Sequence, residues 1–223
     1  MRSLLFVTAV LTSATFVSAC GGEAAPPLLK FPRANTVAQP GALQYRLPVV
    51  GNWKVHRTHY GATNDQAYAL DLVVDIPYGR GFGGPLRVNT DFPSYNQPVV
   101  ADAPGVVVIA VDGVPENLPT VVNRYDMHGN FVVIDHRNGE FSLFAHIIPG
   151  SLKVRPGMAV AAGMEIGRCG NSGHSTMPHL HWQVMSSANA SGAIGIPPRY
   201  APYQRNGVLT TELPQKSDRV AGP

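Results

Sequence analysis

The sequence predicts a mostly β fold built from antiparallel strands. Its 223 residues include 23 Gly and 20 Pro, which favour frequent turns and disfavour long helices. The apolar residues occur in short β-branched and aromatic runs bounded by Gly, Pro, Asn or Asp, as is typical of strands. Between two of these runs, residues 135–139 end in Asn138-Gly139, a pair that suits the positive φ angles of a tight hairpin.

The predicted strands follow one another from Leu47 onward. They cover residues 69–76, 98–101, 106–111, 131–135, 141–148 and 179–185. Turn residues at 154–157 and 162–163 predict two further short strands, and we assign residues 46–186 to one domain. Beyond Met185 the chain is rich in Ser, Ala, Asn, Gly and Pro, so residues 187–223 are expected to form a surface wrap and a loose tail.

The first 20 residues indicate export. A basic start is followed by an apolar stretch and then by Val17-Ser18-Ala19-Cys20, small residues that suit a cleavage site. The last four residues also resemble a bacterial lipobox, which would make Cys20 the lipidated first residue; the alternative is plain secretion after Ala19. Residues 21–45 lack periodicity and are interpreted as a flexible tether. We therefore expect a lipoprotein on the periplasmic side of the outer membrane, or a secreted protein.

Charge and hydropathy exclude several classes of partner. The net charge is +3 and no run of Lys or Arg is present, which argues against a nucleic-acid-binding surface. Outside the N-terminal segment, no apolar window is long enough for a membrane-spanning helix. The only membrane contact expected is the lipid anchor, and we expect a monomer.

Histidine spacing supplies the first chemical signal. The eight histidines all lie in the predicted domain, at positions 56, 59, 128, 136, 146, 174, 179 and 181. His179-Leu180-His181 lies on an alternating run, so both imidazoles project from one sheet face and suit one metal ligand plus one proton carrier. Two exposed surface histidines are the alternative. We interpret His128, His136 and His174 as loop or hairpin residues.

A longer pattern surrounds this pair. Residues 167–182, GRCGNSGHSTMPHLHW, resemble the signature of the lysostaphin-type (LytM-like) zinc endopeptidases. Residues 130–139 with 143–146, residues 154–167 and residues 98–107 are similar to other segments of that family, in family order. The resemblance covers residues 53–185 and implies an antiparallel sandwich or barrel-like peptidase domain with long loops around a cleft. Residues 76–97, rich in Gly, Tyr, Phe, Arg and Asn, are expected to form one cleft wall.

The resemblance also implies a zinc site. Asp71 and His181 match two of the family's ligands, and two imidazoles with one carboxylate form a sound catalytic zinc set. The family's usual His-x-x-x-Asp spacing would place the remaining ligand at Ala67, so this chain departs from the pattern. We expect His59 to take that role, with His56 in reserve.

The other two histidines of the family pattern are His146 and His179. The resemblance implies that one or both transfer protons or stabilise the oxyanion, without dividing these roles. The expected function is a zinc-dependent endopeptidase that hydrolyses peptide cross-links of bacterial peptidoglycan with a metal-activated water as nucleophile. A catalytically inactive, murein-binding or amidase-activating lipoprotein is the alternative, favoured by the displaced first histidine. Which peptide bond is cleaved stays open.

Overall fold

The computed structural model describes residues 43–62, 65–74 and 87–222. The expected signal segment with Cys20, the tether up to residue 42 and residues 76–86 of the expected cleft wall lie outside these ranges. Within the described ranges, no helix has the length and apolar character needed to cross a membrane.

The described residues form an almost entirely β structure. The strands are β1 (Gly51–Thr58), β2 (Leu70–Val74), β3 (Pro98–Val100), β4 (Gly105–Val111), β5 (Asn130–Asp135), β6 (Phe141–Ile147), β7 (Ala159–Val160), β8 (Glu165–Arg168), β9 (Leu180–Met185), β10 (Tyr203–Arg205), β11 (Val208–Thr210) and β12 (Arg219–Gly222), with one 3₁₀ turn at Asn89–Asp91. Ten of these strands make one sheet in the order β11-β10-β12-β1-β2-β9-β6-β5-β4-β7, and β3 pairs with β8. Every pairing between these strands is antiparallel, so the predicted fold class is confirmed.

The central strands β6 and β9 are buried on both faces. Phe144 pairs with Trp182 across the two strands, and both side chains belong to the main hydrophobic core. The next pair, Ala145 and His181, points to the opposite face because successive side chains of a strand alternate. One face of β9 therefore packs the core while the other carries a histidine of the predicted site.

The C-terminal segment corrects one expectation. Residues 187–223 were expected to include a loose tail, but β10, β11 and β12 join the large sheet, and β12 pairs with β1. Tyr200, Tyr203 and Val220 are buried in the main core. The expectation of a loose tail is wrong because these few apolar residues complete the core beside β1.

The N-terminal boundary also shifts slightly. Tyr45, placed at the end of the expected tether, is buried in the core and its backbone N–H donates to the carbonyl of Arg199. Tyr45 also forms an isolated β-bridge with Tyr200. The folded unit therefore includes Tyr45, and the start and end of this unit lie side by side.

Candidate metal centre

Three of the predicted site residues meet on one face of the sheet. Asp71 on β2 lies directly opposite His181 on β9, and such cross-strand neighbours have Cβ atoms about 4.5–5.5 Å apart. His59 follows the end of β1, and its backbone N–H donates to the carbonyl of Ala69 just before β2. The pairing of β1, β2 and β9 thus brings together residues that are up to 122 positions apart in the sequence.

The distances suit a shared metal ion. Nε2 of His59 lies 3.2 Å from Oδ2 of Asp71, and Nδ1 of His181 lies 2.8 Å from Oδ1 of the same carboxylate. One nitrogen from each ring and one carboxylate oxygen all lie within 4.8 Å of one another. Asp71 and His181 are buried and His59 is partly buried. Two imidazoles and one carboxylate, gathered in this way, fit the donor set that Zn²⁺ takes in catalytic sites.

His56, the reserve candidate, lies elsewhere. Its side chain is exposed on β1 and lines the edge of the cleft, outside the three-residue cluster. The longer sequence gap before Asp71 leaves His59 beside β2, since its backbone N–H donates to the carbonyl of Ala69 just before that strand. The geometry therefore favours His59.

Gln183 was not anticipated from the sequence. Its Oε1 lies 2.9 Å from Nε2 of His181, and because a carbonyl oxygen can only accept, that ring nitrogen carries a hydrogen and donates. Nδ1 of His181 is thereby the nitrogen that faces Asp71. Such outer partners fix the tautomer and orientation of a metal-binding histidine. The alternation of side chains along β9 could have indicated this contact, since Gln183 is two residues from His181 and lies on the same face of the strand.

His146 and His179 lie beside the cluster. Their ring centroids are 4.7 Å apart, and the ring of His146 is 5.9 Å from that of His181. Nδ1 of His146 donates to the carbonyl of Ser172 at 2.8 Å, and Nδ1 of His179 donates to the carbonyl of Met177 at 2.9 Å. In a neutral ring this leaves Nε2 as an acceptor. Nε2 of His179 lies 3.7 Å from Oδ1 of Asp71, on the side of the cluster.

Burial and neighbouring charges set the protonation states. Burial lowers the pKa of His146 well below 6.5, helped by repulsion from His179 and His181. Burial likewise lowers the pKa of His179, although Asp71 opposes the shift. Both rings are therefore neutral at neutral pH and can accept a proton through Nε2.

The pKa of the Asp71 carboxyl group is shifted so that its charged form is favoured. Burial raises the pKa of Asp71, but hydrogen bonds from His181 and His59 outweigh burial and hold it far below its usual range. Burial lowers the pKa of His181, but its hydrogen bond to Asp71 dominates and the net shift is upward. In the metal-free site, Asp71 is an anion held by its histidine neighbours, which is the charge state a metal ion requires.

A cleft of about 470 Å³ opens above these side chains. Besides the five predicted site residues, it is lined by residues from the loops before β5 and before β9, including Met127, His128, His174 and Met177. His146 has a φ of 65°, an unusual value for a non-glycine residue that is frequent at functional sites. The three candidate metal ligands thus lie on the wall of an open cleft.

Comparison with known proteins finds a family and relatives with similar sequences. Residues 89–192 match the profile of Peptidase family M23. The chain is also 32% identical over 88 residues to the peptidoglycan DD-endopeptidase ShyA of Vibrio cholerae, across 40% of this chain and 17% of ShyA. Residues 89–192 of this chain are therefore similar to the domain of Peptidase family M23, and the chain spans about a sixth of the length of ShyA. The family match covers His146, His179 and His181 of the site.

Solved structures with similarity to this chain include two peptidases. One is a peptidase M23 from Pseudomonas aeruginosa, with 24% identity and a TM-score of 0.43, covering 70% of this chain and 50% of that chain. Another is the catalytic domain of lysostaphin from Staphylococcus simulans, with 23% identity and a TM-score of 0.39, covering 64% and 84%. His59 and Asp71 precede the family match, and their place in the site comes from the pairing of β1 and β2 with β9.

Proposed function

We propose that this protein is a zinc-dependent endopeptidase that cuts peptide cross-links of bacterial peptidoglycan. The observation that carries the proposal is the gathering of His59, Asp71 and His181 beside His146 and His179 under one cleft. The match of residues 89–192 to Peptidase family M23 and the similarity to a peptidoglycan DD-endopeptidase support the substrate class.

In this proposal, His59, Asp71 and His181 hold the zinc ion. When bound, zinc supplies a Lewis acid that polarises a peptide carbonyl and lowers the pKa of water. Asp71 also offsets part of the ion's charge, and Gln183 keeps the His181 ring oriented. The protein thus contributes a fixed, partly dehydrated set of three donors.

In this proposal, His146 and His179 accept and donate protons. Each has its Nδ1–H fixed by a backbone carbonyl, so the ring presents Nε2 without free rotation. A neutral Nε2 accepts a proton as the nucleophile forms, and the imidazolium can then donate to the leaving amine or stabilise the oxyanion. The two rings are adjacent, and the proposal leaves the division of these roles between them open.

We further propose that Cys20 anchors the protein to the outer membrane, facing the periplasm. This location would place the site next to its substrate, with residues 21–44 as tether. The inactive, amidase-activating alternative rested on the displaced first histidine. The distance of 3.2 Å between Nε2 of His59 and Oδ2 of Asp71 supports His59 as the third donor, and so supports the enzyme over this alternative.

The test is hydrolysis of purified peptidoglycan together with metal analysis. The zinc-loaded protein should hold close to one zinc per chain and release new amines, and a chelator should abolish the release. Asp71→Ala and His181→Ala should each lose zinc, because metal affinity falls steeply when one of three protein donors is removed. Full zinc content in either variant would refute the ligand assignment. If the zinc-loaded protein releases no new amines from peptidoglycan, the proposed endopeptidase activity is refuted.

A further inference from the structure

A second groove lies beside the metal cleft. It has a volume of about 410 Å³ and shares His56 and Arg57 with the cleft, so the two spaces adjoin. The remaining polar side chains that line it are Lys54, Lys216 and Ser217. We call this space the basic groove, because Lys54, Arg57 and Lys216 all line it.

The sheet places these cations. Lys54 and Arg57 both lie on β1, and Arg57 pairs across the sheet with Asp71, one of the three candidate metal ligands. Lys216 comes from the turn before β12, where the backbone N–H of Ser217 donates to the carbonyl of Val55 on β1. The segment that was expected to be a loose tail therefore supplies one wall of the basic groove.

The positive charge of the groove is not neutralised within the described ranges. There, Lys54, Arg57 and Lys216 form no ion pair, and no carboxylate lines the groove. The acidic residue close to Lys216 in the sequence is Asp218. Its carboxylate accepts hydrogen bonds from the Gln215 backbone and the Asn206 side chain. Because Asp218 is held in this way, the cations remain available to an anion in the groove.

The electrostatic field of these cations reaches the cleft. Partial burial lowers the pKa of His56 and Asp71 opposes the shift, while Arg57, Lys216 and Lys54 each lower it further. His56 lies where the groove and the cleft meet. An anion that binds the three cations would thus lie next to a peptide in the cleft.

We propose that the basic groove binds a free carboxylate of the cross-linked peptide on one side of the bond in the cleft. The proposal rests on the proposed endopeptidase function, and it narrows the substrates to peptides with a carboxylate near the cleaved bond. Several cations around one carboxylate give charge-assisted hydrogen bonds and electrostatic steering. The groove would thereby set which part of a cross-link enters the cleft.

The test is a binding measurement, because binding does not depend on hydrolysis. The probes are a cross-linked peptide dimer released from peptidoglycan and the same dimer with its carboxylates converted to carboxamides. The zinc-free protein should bind the carboxylate form about tenfold more tightly at low ionic strength, since an exposed ion pair contributes up to about fivefold and several act together. Lys54→Gln and Lys216→Gln should each reduce that preference by about threefold to fivefold, and Lys216→Arg should retain it.

Arg155→Gln is the matched control. Arg155 is exposed on the turn before β7, at the far edge of the sheet from β12, and its loss changes the net charge equally. Equal affinity for the two dimers, or an equal effect of Arg155→Gln and Lys216→Gln, would overturn the proposal. If the zinc-loaded protein cuts neither dimer yet prefers the carboxylate form, the endopeptidase proposal fails while the carboxylate site stands. Thermal melts of each variant should match the unmodified protein, because these side chains are not in the core.

Discussion

Replacing Gln183 tests how the structure orients the metal-binding ring of His181. Gln183→Met keeps an unbranched side chain of similar length but removes the oxygen that accepts the Nε2–H of His181 at 2.9 Å. Gln183 is fully buried and His181 nearly so, so water cannot readily replace the lost acceptor. An unsatisfied buried donor costs about 1–3 kcal/mol, and loss of an outer partner of a metal-binding histidine lowers metal affinity about 10–100-fold.

The assay is competition for zinc against a chelating indicator, with thermal melts of the metal-free protein as the folding control. We expect Gln183→Met to weaken zinc binding about 10–100-fold. Asp65→Asn is the matched variant. The amide nitrogen of Gln183 lies 3.2 Å from the Asp65 carboxylate, so this substitution changes the partner of the nitrogen but keeps the Gln183 oxygen that accepts from His181. Its effect on zinc affinity should be smaller. A folded Gln183→Met protein with unchanged zinc affinity would show that the His181 ring is oriented by something else.

Four further outcomes are expected. His59→Ala should lose zinc and activity while His56→Ala keeps most of both; the reverse result would move the ligand role to His56. His146→Ala and His179→Ala should keep zinc but lower peptidoglycan hydrolysis about 10²–10⁴-fold, and an active variant would exclude that ring from proton transfer. Because the pKa of His146 lies below 6.5 in the folded state, the unfolded chain binds the proton more tightly. This group therefore lowers the unfolding free energy of the metal-free protein as pH falls below about 6.5, and His146→Gln should flatten that slope in denaturant titrations. Tyr203→Ala should cost about 3–5 kcal/mol in the same titrations, whereas a loss below about 1 kcal/mol would mean that the C-terminal strands add little to the core.

Much of the central fold could be predicted because its strands carry their own pattern. The runs at 131–135, 141–148 and 179–185 are apolar, β-branched or aromatic, and they match β5, β6 and β9 closely. The C-terminal strands could not be predicted in this way, because β10 and β11 have only three residues each and join the sheet only through the pairing of β10 with β12. β1 itself, GNWKVHRT, carries polar and charged side chains that obscure its alternation.

The candidate site was predictable to the extent that a motif carries it. His179-Leu-His181 and the upstream Ala-His146 are local signals, and the structure places all three histidines on the cleft. The choice between His59 and His56 depends on how the end of β1 lies against β2, which no short sequence pattern encodes. His136 shows the same limit, because it follows a hairpin strand yet is buried against Asp102, a residue 34 positions earlier.

Asp102 and His136 belong to a hydrogen-bond network within the core. The Trp182 indole N–H donates to Asp102 at 2.9 Å, Ser142 hydrogen-bonds to the same carboxyl, and Nε2 of His136 lies 2.8 Å from Oγ of Ser142. The second ring nitrogen of His136 donates to the carbonyl of Pro104. Burial raises the pKa of Asp102, while the hydrogen bonds from Ser142 and Trp182 oppose that shift.

This hydrogen-bond network holds β9, the strand that carries His181 of the candidate metal site. Trp182 lies between His181 and Gln183 on β9, and its side chain points to the core while theirs lie on the opposite face of the strand. The hydrogen bond to Asp102 fixes the position of Trp182 and, through the shared backbone, the strand from which His181 projects. Metal sites need donors held by a rigid element, and here the rigidity comes from the opposite face of the same strand. Core packing and metal geometry are therefore coupled at β9, so a change at Asp102 should disturb both.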